Sequence, residues 1–191
     1  MENLKSVPVT GPVTEEERAY AINALNTTRD ALHQSLDGLS DIQLTYKPGS
    51  DRWSIGECLE HITLIEQGIF AVIQKGMTYP ANPEKRAEIK YSDVDVIKAV
   101  RSRAVTFPSP DPYLPVGHFD SVSASLAAFN EQRQAVITFV KTAPEDLRTH
   151  YFRHIALGWL DAYQGILVLA SHVERHRKQI EEIKSSLGFP Q

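Results

Sequence analysis

Four long stretches of this chain repeat their apolar residues with the period of an α-helix, and none shows sustained strand alternation. The first runs from about Thr14 to Leu39, with Ile22, Leu25, Leu32, Leu36 and Leu39 on one stripe that Arg29 interrupts. The second runs from about Ser54 to Gly76 and has a wide apolar face through Ile55, Leu59, Ile62, Ile65, Ile69 and Val72. The third runs from about Ser121 to Thr142 and is stopped by Pro144; the fourth runs from about Gly158 to Leu187 and is stopped by Gly188 and Pro190. Thr14 with Glu17, and Ser54 with Glu57, have the spacing of capping boxes, which satisfy free backbone N–H groups at a helix start. Amphipathic helices must bury their stripes, and four of them do so against one another. The expected fold is all-α, a four-helix bundle with a long proline-rich crossover between helices two and three.

That crossover spans Met77 to Asp120 and holds six of the 11 prolines. Its length allows helices two and three to run parallel. Ser92 to Arg103 is expected to form a short helix within it, and Pro144 to Leu147 a short helical turn before the fourth helix. Residues 1–191 are read as a single domain with its core at about 14–187 and an N-terminal tail over 1–13.

Composition narrows the function. Lys+Arg is 20 and Asp+Glu is 24, a mildly acidic balance without general attraction for nucleic acid or anionic lipid. No run approaches the roughly 18 apolar residues of a membrane helix, and the first residues carry no apolar stretch of signal-peptide length. A cytoplasmic protein with no nucleic-acid or membrane partner is expected. The single cysteine, Cys58, excludes an internal disulfide and a cysteine-rich zinc site. Any metal must be held by histidine and carboxylate.

The sharpest local feature is His172-Val173-Glu174-Arg175-His176. Residues four apart share a helix face, and Leu169, Ile180 and Ile183 place that face inward. Two inward imidazoles need partners for their acceptor nitrogens, which one ion could satisfy together; the other reading is a pair of core-edge histidines bonded to side chains. His61, on the flank of the second helix's apolar face, is the natural third ligand. Three histidines with an open position are a catalytic arrangement. Glu57, one turn before His61, is open to roles as ligand, as ligand-supporting group or as general base, in competition with its capping of Ser54. Glu60 and Glu174 adjoin ligands in sequence, but neighbours on a helix point about 100° apart, so both read as surface or ligand-supporting groups. His150 and His154 also stand four apart, but without a sustained helical stripe. His33 and His118 lack suggestive neighbours, Cys58 reads as a small core residue, and Tyr163 and Arg175 as polar groups that a site mouth could use. The chain has no GxGxxG, P-loop, GxSxG or CxxC. Its His-Val-Glu-Arg-His is not HExxH, and a di-iron carboxylate pattern does not close despite Glu131.

Two pieces together carry a family resemblance: Trp53-Ser54-Ile55-Gly56-Glu57-Cys58-Leu59-Glu60-His61-Ile62, and His172-Val173-Glu174-Arg175-His176-Arg177-Lys178-Gln179-Ile180. With Arg103-Ala104-Val105-Thr106-Phe107-Pro108 in the crossover, the chain resembles the DinB-like (YfiT-like) superfamily of metal-dependent enzymes from about Ala19 to Leu187. The resemblance implies one divalent ion, often nickel or zinc, on His61, His172 and His176. It also implies an enzyme acting on a small molecule, either a transferase using a low-molecular-weight thiol such as bacillithiol or mycothiol as co-substrate, or a hydrolase, and a homodimer. A non-catalytic metal- or ligand-binding dimerisation module is the alternative. The chain departs from the family before the last helix, where Gly158 follows His154 without the customary proline; the shape of that connection is left open.

Overall fold

The computed structural model describes residues 11–104 and 108–191. The first ten residues of the expected tail, and Val105 to Phe107 of the crossover motif, lie outside them. The four expected helices form. Helix α1 is Glu15–Leu36, and the short α2 is Asp41–Thr45. Helix α3 is Ile55–Met77, α4 is Asp93–Arg101, α5 is Val122–Thr142 and α6 is Ala162–Lys184. Between α5 and α6, strands β1 (Tyr151–His154) and β2 (Gly158–Asp161) pair antiparallel.

Helices α1, α3, α5 and α6 make the bundle, with α1 and α3 each packed between α5 and α6. Cross-contacts give the directions. Gly56 lies against Val122, Thr63 bonds Ser125, and Phe70 meets Phe139, so α3 and α5 run parallel as the long crossover allows. Tyr163 bonds the Glu17 carbonyl near the start of α1, and Lys184 bonds that of Ser35 near its end, so α6 parallels α1. Helix α4, inside the expected 92–103 segment, packs on the outside of α6.

Capping boxes at Thr14 and Ser54 form as the spacing predicts, and two more form at Ser40 and Ser92. The expected boundaries need four corrections. Helix α1 stops at Leu36 rather than Leu39, because Asp37 is extended and Gly38 takes φ +69°. Pro144 to Leu147 is not helical: Asp146 instead accepts from the Val13 and Arg148 backbone N–H groups, tying this connection to the start of the chain's described part. The fourth helix begins at Ala162, not Gly158, because Gly158–Asp161 is strand β2 and Asp161 caps α6 by accepting from Gln164 N. It ends at Lys184, and Leu187, read as the last residue of its stripe, is fully exposed.

Two buried arginines lock the assembly. Arg133 of α5 is fully buried and bidentate with Glu66 of α3 (2.6 and 2.8 Å), and it also donates to the Leu25 carbonyl of α1 at 2.9 Å. One side chain thus joins three helices. Arg148 pairs with Glu17 of α1, Asp93 of α4 and Asp161 at the cap of α6, while Arg86 from the crossover also reaches Asp161. The crossover and hairpin are therefore fixed to the bundle by desolvated charge pairs, whose members are costly to leave unpartnered.

Candidate metal centre

His61 lies in the second turn of α3, and His172 and His176 lie one turn apart on α6. Because α3 and α6 are antiparallel neighbours, their facing sides bring the three rings together. Ring centroids are 4.5 Å apart for His172 and His176, 4.7 Å for His61 and His176, and 5.1 Å for His61 and His172. One nitrogen from each lies within 4.8 Å of the other two. His61 and His176 are buried, whereas His172 is half-buried against a cavity of about 560 Å³.

Hydrogen bonds outside the cluster determine which nitrogens are available. His61 Nδ1 is 2.8 Å from the Tyr113 carbonyl, which can only accept, so Nδ1 carries the proton and Nε2 keeps its lone pair. His176 Nδ1 is 3.0 Å from Gln179 Oε1, and that same oxygen accepts from Arg103 Nη1 at 3.0 Å. The guanidinium has donors alone, so the oxygen is correctly placed and His176 Nδ1 must donate to it. Both rings are thereby held as ligands with free Nε2 lone pairs, the usual outer support of metal-binding histidines. Burial holds all three imidazoles below their ordinary pKa, His172 and His176 well below, so they are neutral near pH 7. The donor set fits a divalent ion that accepts imidazole, such as zinc or nickel. Three protein ligands, with no fourth in the cluster among the described residues, leave a position for substrate or water.

Trp53, directly before the Ser54 cap, covers the cluster, its ring 4.8 Å from His61 and 6.1 Å from His176. Tyr113 is seated on α3 at Gly68, where a Cβ would come within 2.5 Å of the tyrosine ring. The crossover therefore supplies the His61 partner through a close approach that glycine permits.

The other candidates are placed as follows. The Glu57 carboxylate accepts from Ser54 N at 2.8 Å and pairs with Lys47 at 2.6 Å; it is not among the cavity-lining residues. Glu60 accepts from Gly117 N and His118 N, anchoring the end of the crossover, and Glu174 pairs with Arg177. Cys58 is buried in the core, which pushes its thiol up to about 12 and keeps it protonated. Tyr163 is buried away from the cavity, whereas Arg175 lines it. His33 bonds Asn130.

His150 turns away to the Asp146 carbonyl, but His154 lines the cavity. Its Nδ1 accepts from Ala156 N and Leu157 N, both at 3.2 Å, so the hairpin turn itself fixes the ring with its proton on Nε2. Sequence reasoning gave no role to Gln179, Arg103 or the Tyr113 carbonyl. Gln179 was within reach of the helix rule, standing three residues after a ligand and so beside it.

A bundle that gathers three neutral imidazoles from two antiparallel helices beside a cavity carries a cluster with the donors to hold a divalent ion. Residues 24–180 match the profile of the DinB superfamily, and the chain belongs to that family. The uncharacterized protein YuaE of Bacillus subtilis (strain 168) is 24% identical over 166 residues, spanning 87% of this chain and 98% of the relative. Among solved structures, the fold is similar to YfiT from Bacillus subtilis, with TM-score 0.58 and 14% identity over 98% of this chain and 97% of that one. YfiT is described as "a probable metal-dependent hydrolase with an unusual four-helix bundle topology". At that identity the likeness establishes the fold.

Proposed function

We propose that this protein is a metal-dependent enzyme acting on a small molecule, with His61, His172 and His176 holding one divalent ion, zinc or nickel. A water or a low-molecular-weight thiol serves as nucleophile, which makes the reaction a hydrolysis or a thiol transfer. The observation that carries this reading is the enforced ligand form of two histidines beside an open cavity. A cluster of merely structural histidines would have no need to turn its lone pairs toward one another. A divalent ion in this position supplies Lewis acidity, lowering the pKa of a small nucleophile.

The chain's own groups do the rest. Tyr113 O and Gln179 Oε1 hold the ligand protons on the outer nitrogens. Trp53 covers the cluster and apolar side chains line much of the adjoining cavity, which lowers the local dielectric and strengthens electrostatic interactions there. His154, with its proton on Nε2, offers the cavity a neutral donor rather than a base. The absence of a fourth protein ligand in the cluster, among the described residues, favours this reading over a structural ion in a binding module. The reading also carries a homodimer and a cytoplasmic setting. Among the described residues, no helix is long and apolar enough to cross a membrane.

Metal content of the untagged protein, measured by mass spectrometry beside His61→Ala and His172→Ala, tests the proposal. The expected result is about one ion per chain, lost in both variants. Wild-type protein that takes up no nickel, zinc or manganese overturns it. Trapping assays with a thiol and an electrophile then separate transfer from hydrolysis.

A further inference from the structure

The hairpin between α5 and α6 forms one wall of the cavity. Strands β1 and β2 end their pairing at His154 and Gly158, and the turn residues Ile155, Ala156 and Leu157 line the cavity together with His154. Gly158 closes the turn with φ +74°. Within the turn, Ala156 N and Leu157 N both donate to His154 Nδ1 at 3.2 Å. Two backbone groups thus fix the ring from one side and leave its proton on the other nitrogen, Nε2. Among the described residues Nε2 has no acceptor, and it is not one of their buried unpartnered atoms. Its N–H is therefore open to the cavity that the ring borders.

That donor has a definite character. Burial holds the ring's pKa below 6.5, so it is neutral near pH 7 and brings no charge to attract an anion. Held in orientation by the turn, it gives up little freedom when an acceptor arrives. His172 of the cluster borders the same cavity and lies within electrostatic reach of His154. The rest of the lining suits an uncharged guest. Ile65, Ile69, Val100, Pro108 and Val168 present apolar surface. Arg103 is taken up by Glu182 and Gln179, Arg175 is engaged as well, and Arg52 is exposed with Asp51 next to it in the chain. The lining thus holds no buried cation set aside for an anionic guest, and a charge entering it would lose hydration.

We propose that the substrate is an uncharged carbonyl compound with an apolar body, and that His154 recognises it by donating from Nε2 to the carbonyl oxygen, which sets the carbonyl group beside the histidine cluster. The inference rests on the reading of this cavity as the substrate site. It adds the class of substrate and the residue that selects it.

Acetophenone and isopropenylbenzene provide the test, because they carry a carbonyl or a carbon–carbon double bond on the same frame; benzoate is the anionic analogue. Each is titrated into metal-free and zinc-loaded protein, and imidazole proton and nitrogen-15 spectra follow His154. In metal-free wild type, acetophenone should move the His154 Nε2–H proton downfield, and isopropenylbenzene should not. His154→Asn keeps an oxygen that can accept from the turn but has no Nε2. It should lower the ratio of acetophenone to isopropenylbenzene affinity by about three- to tenfold, the worth of a neutral hydrogen bond. His154→Phe, which keeps an aromatic ring, should do the same. Taking the ratio cancels the unequal hydration of the two ligands and any effect of the turn that they share. A ratio unchanged in both folded variants overturns the proposal. So does wild-type protein that does not bind acetophenone, an Nε2–H signal unmoved at saturation, or tighter binding of benzoate than of acetophenone to metal-free protein. Zinc measured in the same samples keeps the two readings apart. A His154-dependent ratio without zinc uptake sinks the metal enzyme alone, and zinc uptake without that dependence sinks the carbonyl substrate alone.

Discussion

Gln179 Oε1 and His176 Nδ1 stand 3.0 Å apart on successive turns of α6, and Arg103 donates to the same oxygen from the crossover. The amide oxygen therefore sets the tautomer of one ligand and is itself held in orientation. Gln179→Leu should leave the bundle folded and lower zinc affinity by about 10–100-fold, the usual consequence of removing a ligand's outer partner. Competition with a chelator of known affinity measures this; unchanged affinity would show that His176 needs no such support.

The hairpin turn makes a comparable prediction for His154. Because Ala156 N and Leu157 N both donate to its Nδ1, the neutral ring should be the Nε2–H tautomer. Burial lowers its pKa below the ordinary 6.5, so that form should persist under mildly acidic conditions. Nitrogen-15 chemical shifts of the imidazole distinguish the tautomers, and an Nδ1–H signal would contradict the turn geometry.

Stability should depend on pH in a definite direction. His61, His172 and His176 all have folded pKa values depressed below 6.5, chiefly by burial. Below 6.5 the unfolded chain binds protons that the folded chain resists, so acid favours unfolding. Metal-free protein should be most stable above about pH 7 and lose stability progressively toward pH 5, before most carboxylates titrate. His172→Gln should flatten the thermal-unfolding midpoint across this window. A wild-type midpoint that is level from pH 7 to 5 would contradict the burial of neutral imidazoles.

At the bundle centre, Arg133 and Glu66 should be worth more as a pair than singly. Arg133→Met strands a buried carboxylate and should cost about 3–5 kcal/mol, whereas adding Glu66→Leu should recover most of that loss. Denaturant titration of the two single variants and the double variant gives the coupling energy directly.

The bundle was legible because its signals are local: the periodic stripes, and the boxes at Thr14 and Ser54, specify helices wherever they occur. His172 and His176 were visible through helical spacing, and the approach of His61 followed once two helices were set face to face. The hairpin was hidden because Gly158, Trp159 and Leu160 continue into the apolar run of α6, so periodicity does not mark the boundary. The overlooked marker was Asp161, three residues before Gln164, in a capping position. Arg133 gave no warning because its partner lies on another helix. His154 looked like a decoy because its role depends on a turn and not on a helix. Glu57, left open between a site role and a cap, does form the cap, and its carboxylate is engaged by Ser54 and Lys47.

The partner of His61 is a backbone carbonyl, that of Tyr113, and every residue type possesses one. Mutation can thus redraw the crossover's side chains, which border the cavity, while the group that orients the ligand passes unchanged from one sequence to the next. Both histidine-bearing helices lie outside that segment. In the proposed enzyme, selection for a new substrate and retention of the ion would fall largely on different positions, with Arg103 the exception, and descendants of such a chain could diversify in what they transform without first losing the means to transform it.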